Sequence, residues 1–412
     1  MQKRNKKSKK VKIMATVGPS SFDESIIRKM DLSGIDVFRV NMSHTNIEDL
    51  RDILSSLRKW TSKEICIDTE GSQIRTGMIK ENNIEVKSHR IIEFVPVYVK
   101  GDLNKIPLSV NPWEVLLPGD VLKIDFHSAI IQIIKSDDNI VLGRVLEGGI
   151  IGSNKGICID RDIKLPGFTS KDIKSFAIAI ELGIRIIALS FASSAKDVIC
   201  LRKYFDDEIK VISKIESIQG INHLESICKE SDAILIDRGD LSREVPIEKI
   251  SFAQRHIQKK ANEFQTPVYV ATNLLESMVN NCKPTRAEIN DITSTLFSGV
   301  DGLVLAAESA IGKFPVESTR MIARIINEVE NNFVQMDDVN YFCSLPTDRI
   351  IEPHGGELVQ NFFRDFDYKN LKGLPSLEVD DEILSDTVKI AEGTYSPLNC
   401  FYELRRTDVG FG

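Results

Sequence analysis

Eight short runs rich in β-branched residues recur along this chain, with room for a helix between most neighbours. They are VKIMATV (11–17), DVFRVNM (36–42), EICIDTE (64–70), RIIALSF (185–191), KVISKIE (210–216), AILIDRG (233–239), PVYVATN (267–273) and GLVLAAE (302–308). Most are separated by segments of helical periodicity, such as SFDESIIRKMDLSG and KDIKSFAIAIELG. Strands alternating with helices build βαβ units and hence a parallel sheet. Eight such units predict a closed (β/α)8 barrel of the α/β class, with a doubly wound sheet as the alternative.

Two intervals break the alternation. Residues 78–158 are rich in valine and isoleucine and carry the turn signals LLPGD, KSDDN and EGG. They predict a small all-β domain inserted after the third barrel strand. From residue 331 the pattern changes again, to YFCSLPTD, EPHGGELV and LPSLEVDDEILSDTVKIAEGTYSPLNCF. The expected organisation is a basic arm (1–10), a barrel in two pieces (11–77 and 159–330), the β insertion (78–158) and a C-terminal module (331–412). A length of 412 residues accommodates that many units.

Composition removes several function classes. The net charge of −7 argues against nucleic-acid binding, despite the basic start MQKRNKKSKKVK. No apolar run is long enough to span a bilayer, and no signal-peptide stretch follows the basic arm. The seven cysteines are scattered without a CxxC pair, which fits reduced thiols and a cytoplasmic location. The six histidines form no HxxxH or HxH pair, so a histidine-built metal site is not expected.

The ends of the strand candidates are polar: RVNMSH, DTEGSQIRTG, SKIE, DRGD, ATN and AAES. Barrel chemistry collects at the C-terminal ends of the strands. Buried charge is costly unless it is paired or metal-bound, and core packing does not call for it at six strand ends. Within ISKIES (212–217), Lys214 and Glu216 stand two residues apart, and strand geometry points them to the same face. Together these features predict a functional rim.

These motifs resemble those of the pyruvate kinase family, in order, over about residues 11–330. ATVGPSS resembles TIGPAS, FRVNMSH resembles RLNFSH, and DTEGSQIRTG resembles DTKGPEIRTG. VISKIES resembles the ISKIE strand, IDRGDLSREVP resembles ARGDLGIEIP, and LAAESAIGKFP resembles LSGETAKGDYP. The resemblance implies a TIM barrel that transfers a phosphoryl group between phosphoenolpyruvate and ADP, giving pyruvate and ATP. By matching position, it implies that Glu216 and Asp240 hold Mg2+ or Mn2+, which favour hard oxygen ligands. It implies that Lys214 and Arg39 neutralise the moving phosphoryl group and that Thr272 serves the protonation of the enol carbon. The Arg238, Gly239 and Asp240 backbone would receive the substrate carboxylate. Asn41, Ser43, Asp68 and Thr69 would bind a monovalent cation, K+ in this family, and Arg75, His44 and Pro19 would lie on the nucleotide side. A homo-oligomer, a dimer through the barrel, is expected.

Departures from the family pattern cluster on the acceptor side. The lysine after Asp-Thr is Glu70, the Pro-Glu pair is Ser72 and Gln73, and the Ser-Gly pair is Ala306 and Ala307. The following lysine is Ile311, and Ser193 and Ser242 replace an arginine and a glycine. A family glutamate at the Gln73 position goes with potassium dependence and a lysine with independence, so glutamine leaves that choice open. A different small-molecule acceptor is therefore an alternative, and a non-catalytic scaffold is a third. The tail resembles the N-terminal, PUA-like part of ATP sulfurylase, with PHGGxLV and SPLxGF motifs, but a QxRNPxHxxH-type catalytic motif is absent. That tail suggests a link to sulfate or nucleotide chemistry, or a sulfurylase-like partner. An end so soon after SPLNCF is also expected of a piece of a longer fusion.

Overall fold

The computed structural model describes residues 10–332, apart from 126–127, 138–139, 162, 164 and 206–207. The basic arm and the PUA-like tail lie outside the described residues.

All eight strand candidates form strands: β1 Lys12–Val17, β2 Val37–Asn41, β3 Glu64–Asp68, β4 Ile186–Leu189, β5 Lys210–Ile215, β6 Ala233–Asp237, β7 Val268–Ala271 and β8 Gly302–Leu305. They close in the order β1-β8-β7-β6-β5-β4-β3-β2, every pairing parallel. The barrel, rather than the doubly wound sheet, is the fold. Strands buried on both faces read as continuous apolar runs, which is why these segments stood out.

The period of two within each strand creates the site. Met14, Val37, Cys66, Ala188, Ile212, Leu235, Tyr269 and Val304 pack together as an apolar cluster inside the barrel. Two residues further along the same faces come Thr16, Arg39, Asp68, Ser190, Lys214 and Asp237, all buried. Apolar layers thus fill the barrel floor, and the next layer toward the C-terminal rim is charged. The other strand faces pack against the surrounding helices, burying Ile27, Leu54, Phe176, Ile257 and Ile322 among many.

Helix starts are set by local side-chain chemistry. Asp23 caps Glu24–Leu32 through Ser25 N and Ile26 N. Thr169 with Asp172, and Thr285 with Glu288, form capping boxes at Ser170–Glu181 and Arg286–Phe297. Asp172 also accepts from the backbone N–H groups of Glu70 (2.7 Å) and Gly71 (3.1 Å), which ties the loop after β3 to that helix.

Between β3 and β4 the chain builds two small sheets. One has six strands, in the order Ile157–Ile159, Val121–Ile124, Ala129–Ser136, Val141–Glu147, Ile91–Pro96, Lys105–Leu108. The other pairs Gly149–Gly152 with Asn83–Val86. Their own core centres on Ile92, Phe94, Ile131 and Val145. Among the described residues, no helix is long and apolar enough to cross a membrane.

Candidate active site

Lys214 sits at the centre of the charged layer, 4% exposed. Its Nζ lies 2.8 Å from Glu216 Oε1, 3.3 Å from Asp68 Oδ1, 3.2 Å from Ser190 Oγ and 3.8 Å from Asp237 Oδ2. Burial alone would depress this ammonium, but Asp68, Glu216 and Asp237 outweigh it and hold its pKa above the ordinary lysine value. The face-sharing of Lys214 and Glu216 expected from spacing is therefore present. Arg39 lies on the opposite flank. Its Nε and Nη2 donate to Thr16 Oγ1 at 2.9 and 2.7 Å, and its Nη1 donates to Asp68 Oδ2 at 3.1 Å. Asp68 is thus held by two cations and by the Ser190 hydroxyl.

Glu216, Asp237 and Asp240 each offer a carboxylate oxygen, and these oxygens lie within 4.8 Å of one another. Glu216 Oε2 accepts from Phe191 N–H at 2.7 Å. Its other oxygen, Oε1, is buried and takes no hydrogen bond, because Lys214 approaches it as an ion pair without hydrogen-bond geometry. A buried oxygen of this kind beside two further carboxylates fits a hard divalent cation such as Mg2+ or Mn2+. Asp240 also pairs with Arg243 at 2.9 Å.

Backbone strain marks the same rim. Phe191, Thr272 and Asn273 have φ of 52°, 73° and 56°. The left-handed region is unfavourable for a β-branched threonine, at a cost of about 1–3 kcal/mol, and such outliers cluster at functional sites. At Phe191 the turn aims the N–H at Glu216. At Thr272 the carbonyl is gripped by Arg238 Nε and Nη2 (3.1 and 2.7 Å), while its hydroxyl donates to Asp237 Oδ1 at 2.6 Å.

Other expected residues fall into two groups. Asn41 and Asp68 are register neighbours at the ends of β2 and β3. Asn41 Oδ1 accepts from Ser43 N–H, and Thr69 Oγ1 accepts from Ser190 N–H. Arg75 donates to the Asn154 carbonyl. Burial and the nearby Arg243 lower its pKa, while Asp240, Glu70 and Glu216 raise it, so it borders the acidic group. His44 is exposed and close enough to feel Arg75, Lys171 and Asp240. Pro19 is an exposed turn residue after β1. The Arg238 side chain faces Asp291 (2.6 Å) and the Thr272 loop, and Gly239 N–H already donates to Asp237 Oδ1 (3.2 Å).

Two features escaped the sequence. Asp237 has no role in the family pattern, although the inward period Ala233, Leu235, Asp237 points to it and the alignment of IDRGD with ARGD sets it opposite alanine. The charge reversal at Glu70 is answered by Lys171, whose Nζ is 3.6 Å from Glu70 Oε1. A lysine reaching in from a helix more than a hundred residues away leaves no local signal. Glu216 and Asp240 open into a cleft of about 970 Å3 lined by barrel residues such as Gln73, Ser193 and Glu244 and by Lys123, Cys158 and Arg161 after β3.

Burial pushes the Glu216 carboxyl up to about 8; Lys214 offsets part of this, while Asp240 and Asp237 add to it. A proton held more tightly by the folded chain stabilises the fold fully below the ordinary glutamate value of 4.5, and that contribution is lost as pH rises through about 8. The metal-free protein is therefore expected to melt at progressively lower temperature across that interval, and Glu216→Gln to flatten the slope. Melting curves recorded without metal check this; identical slopes in both proteins would contradict it.

A closed parallel barrel with a lysine, an arginine and three clustered carboxylates at the C-terminal ends of its strands is a (β/α)8 barrel with its charged groups where barrels of this class carry their sites. Comparison with known proteins narrows the class. The family description "Pyruvate kinase, barrel domain" matches residues 8–319, and "PUA-like domain" matches residues 351–409. The pyruvate kinase of Agrobacterium vitis is 34% identical over 333 residues, covering 79% of this chain and 70% of that protein. That of Clostridium perfringens is 32% identical over 344 residues, covering 81% and 72%. The crystal structure of a pyruvate kinase from Cryptosporidium parvum superposes with a TM-score of 0.71 at 31% identity, covering 78% of this chain and 69% of that one. The chain belongs to the pyruvate kinase family, with a PUA-like domain at its C-terminal end.

Proposed function

We propose that this protein transfers a phosphoryl group between phosphoenolpyruvate and a nucleoside diphosphate, forming pyruvate and the triphosphate. The observation that carries the proposal is the placement of the Lys214 ammonium between Asp68 and Glu216, beside three clustered carboxylates on the rim of a family barrel. Phosphoryl transfer depends chiefly on positioning and on neutralising charge spread over the phosphoryl oxygens.

Glu216 and Asp240 would hold Mg2+ or Mn2+, and such a cation supplies charge neutralisation on phosphoryl oxygens. Lys214 and Arg39, each fixed by two or more partners, hold positive charge at the site where the phosphoryl group passes. Thr272, held in strained backbone at the rim, serves the proton at the enol carbon. Arg75 and His44 take the nucleotide side, with Pro19 at its edge. The substrate carboxylate meets the Arg238–Asp240 turn, where it shares the backbone with Asp237. Potassium is assigned to Asn41, Ser43, Asp68 and Thr69, clustered at the β2 and β3 ends.

A different small-molecule acceptor is disfavoured because Lys171 returns a cation to the altered Glu70 position. A scaffold role is disfavoured because burying so many charges, even paired, gives the fold little that apolar packing would not. The barrel pieces 11–77 and 159–330, the β insertion 78–158 and dimer assembly are proposed on the resemblance, as are a cytoplasmic location and a tie between the tail and ATP-sulfurylase-like chemistry.

The test is a coupled pyruvate-release assay with phosphoenolpyruvate, Mg2+ and a series of nucleoside diphosphates, with and without K+. Pyruvate release that needs a diphosphate is expected. Absence of turnover with every diphosphate would sink the proposal.

A further inference from the structure

We infer that Asp237 is a third protein ligand to the divalent cation. The inference rests on the proposed metal role of Glu216 and Asp240.

The argument begins with position. Asp237 is the last residue of β6, on the inward face that follows Leu235, and it is 7% exposed. The family motif ARGDLGIEIP has alanine where this chain has Asp237. The family pattern thus supplies two carboxylates, and this chain adds a third within 4.8 Å of both. Its Oδ1 is committed locally, accepting from Thr272 Oγ1 (2.6 Å) and Gly239 N–H (3.2 Å). Its Oδ2 faces the cluster, 3.8 Å from Lys214 Nζ.

Charge points the same way. Asp68, Glu216, Asp237 and Asp240 place four acidic groups in this layer, near Lys214, Arg39, Arg243 and Arg75. Asp237 adds one acidic group to the two carboxylates beside it, and a divalent cation bound among the three would offset their mutual repulsion. Mg2+ commonly relies on one or two carboxylates plus substrate oxygens, and affinity for hard cations rises with the number of charged ligands. A third carboxylate therefore tightens binding at this site. It also pins the coordination sphere to Thr272, because the same side chain holds the threonine hydroxyl.

Mn2+ titration of the full chain, followed by electron paramagnetic resonance without phosphoenolpyruvate or nucleotide, tests this. Asp237→Asn keeps an oxygen to accept from Thr272 and Gly239 but loses the charge, which separates ligation from capping. Asp237→Ala restores the family residue. Thermal melts confirm that each variant is folded. The expected result is roughly tenfold or greater weakening of Mn2+ binding in both variants, with Glu216→Gln weakening it further. Wild-type affinity in Asp237→Asn and Asp237→Ala, with binding still lost in Glu216→Gln, overturns the third-ligand role and leaves the metal reading of Glu216 intact. Unchanged binding in Glu216→Gln as well overturns both.

Discussion

Lys214→Met is expected to abolish turnover, lowering kcat by about a thousandfold or more, on the scale seen when one preorganised cationic or oxyanion-stabilising group is removed from a transfer site. The reason is geometric. Lys214 lies in reach of Asp68, Glu216, Ser190 and Asp237. Methionine fills similar volume but leaves those carboxylates without their central cation. Breaking a buried ion pair in this way costs about 3–5 kcal/mol, so the metal-free variant should also melt earlier. Arg39 and Arg243 still pair with Asp68 and Asp240, but Glu216 and Asp237 lose their ammonium partner, so Mn2+ affinity should be retained or increased. Lost kcat together with retained Mn2+ binding separates a role in chemistry from simple misfolding. Undiminished turnover in the variant would refute the role given to Lys214.

The second large effect is expected at Glu216. Glu216→Gln preserves shape and an oxygen for Phe191 N–H, but it removes the charge of the carboxylate whose Oε1 is buried without a hydrogen bond. It also directs amide donors toward Lys214. Mn2+ affinity should fall by roughly a hundredfold or more, beyond the ~10–100-fold typical of changes behind the ligands themselves. Activity should fall with it and return only partly at high Mg2+. Normal Mn2+ affinity in this variant would remove Glu216 from the metal site.

The barrel was legible because each strand is buried on both faces and reads as an apolar run ended by polar residues. Lys214, Glu216, Arg39 and Asp68 were legible for the related reason that charge at a buried strand end is expensive and therefore informative. Asp237 is hidden by the family motif, which places its carboxylate at Asp240, three residues on, although the period of two points inward from Leu235 to Asp237. Lys171 was missed for a different reason. Its contact with Glu70 depends on the helix Ser170–Glu181 lying over the loop after β3, an arrangement fixed by Asp172 and its two backbone hydrogen bonds. Periodicity cannot report a pairing made by tertiary packing. Likewise, nothing local to RGD indicates that Gly239 N–H is already engaged by the preceding aspartate.

The central claim is that phosphate leaves phosphoenolpyruvate for a nucleotide on this barrel rim. Phosphorus NMR of the full chain with phosphoenolpyruvate, ADP and Mg2+ follows the transferred atom itself. The account predicts that the phosphoenolpyruvate resonance decays while the γ-phosphoryl signal of ATP grows in equal amount, and that Lys214→Met stops both. Decay into inorganic phosphate or into another phosphorylated species, or no decay at all, would contradict it.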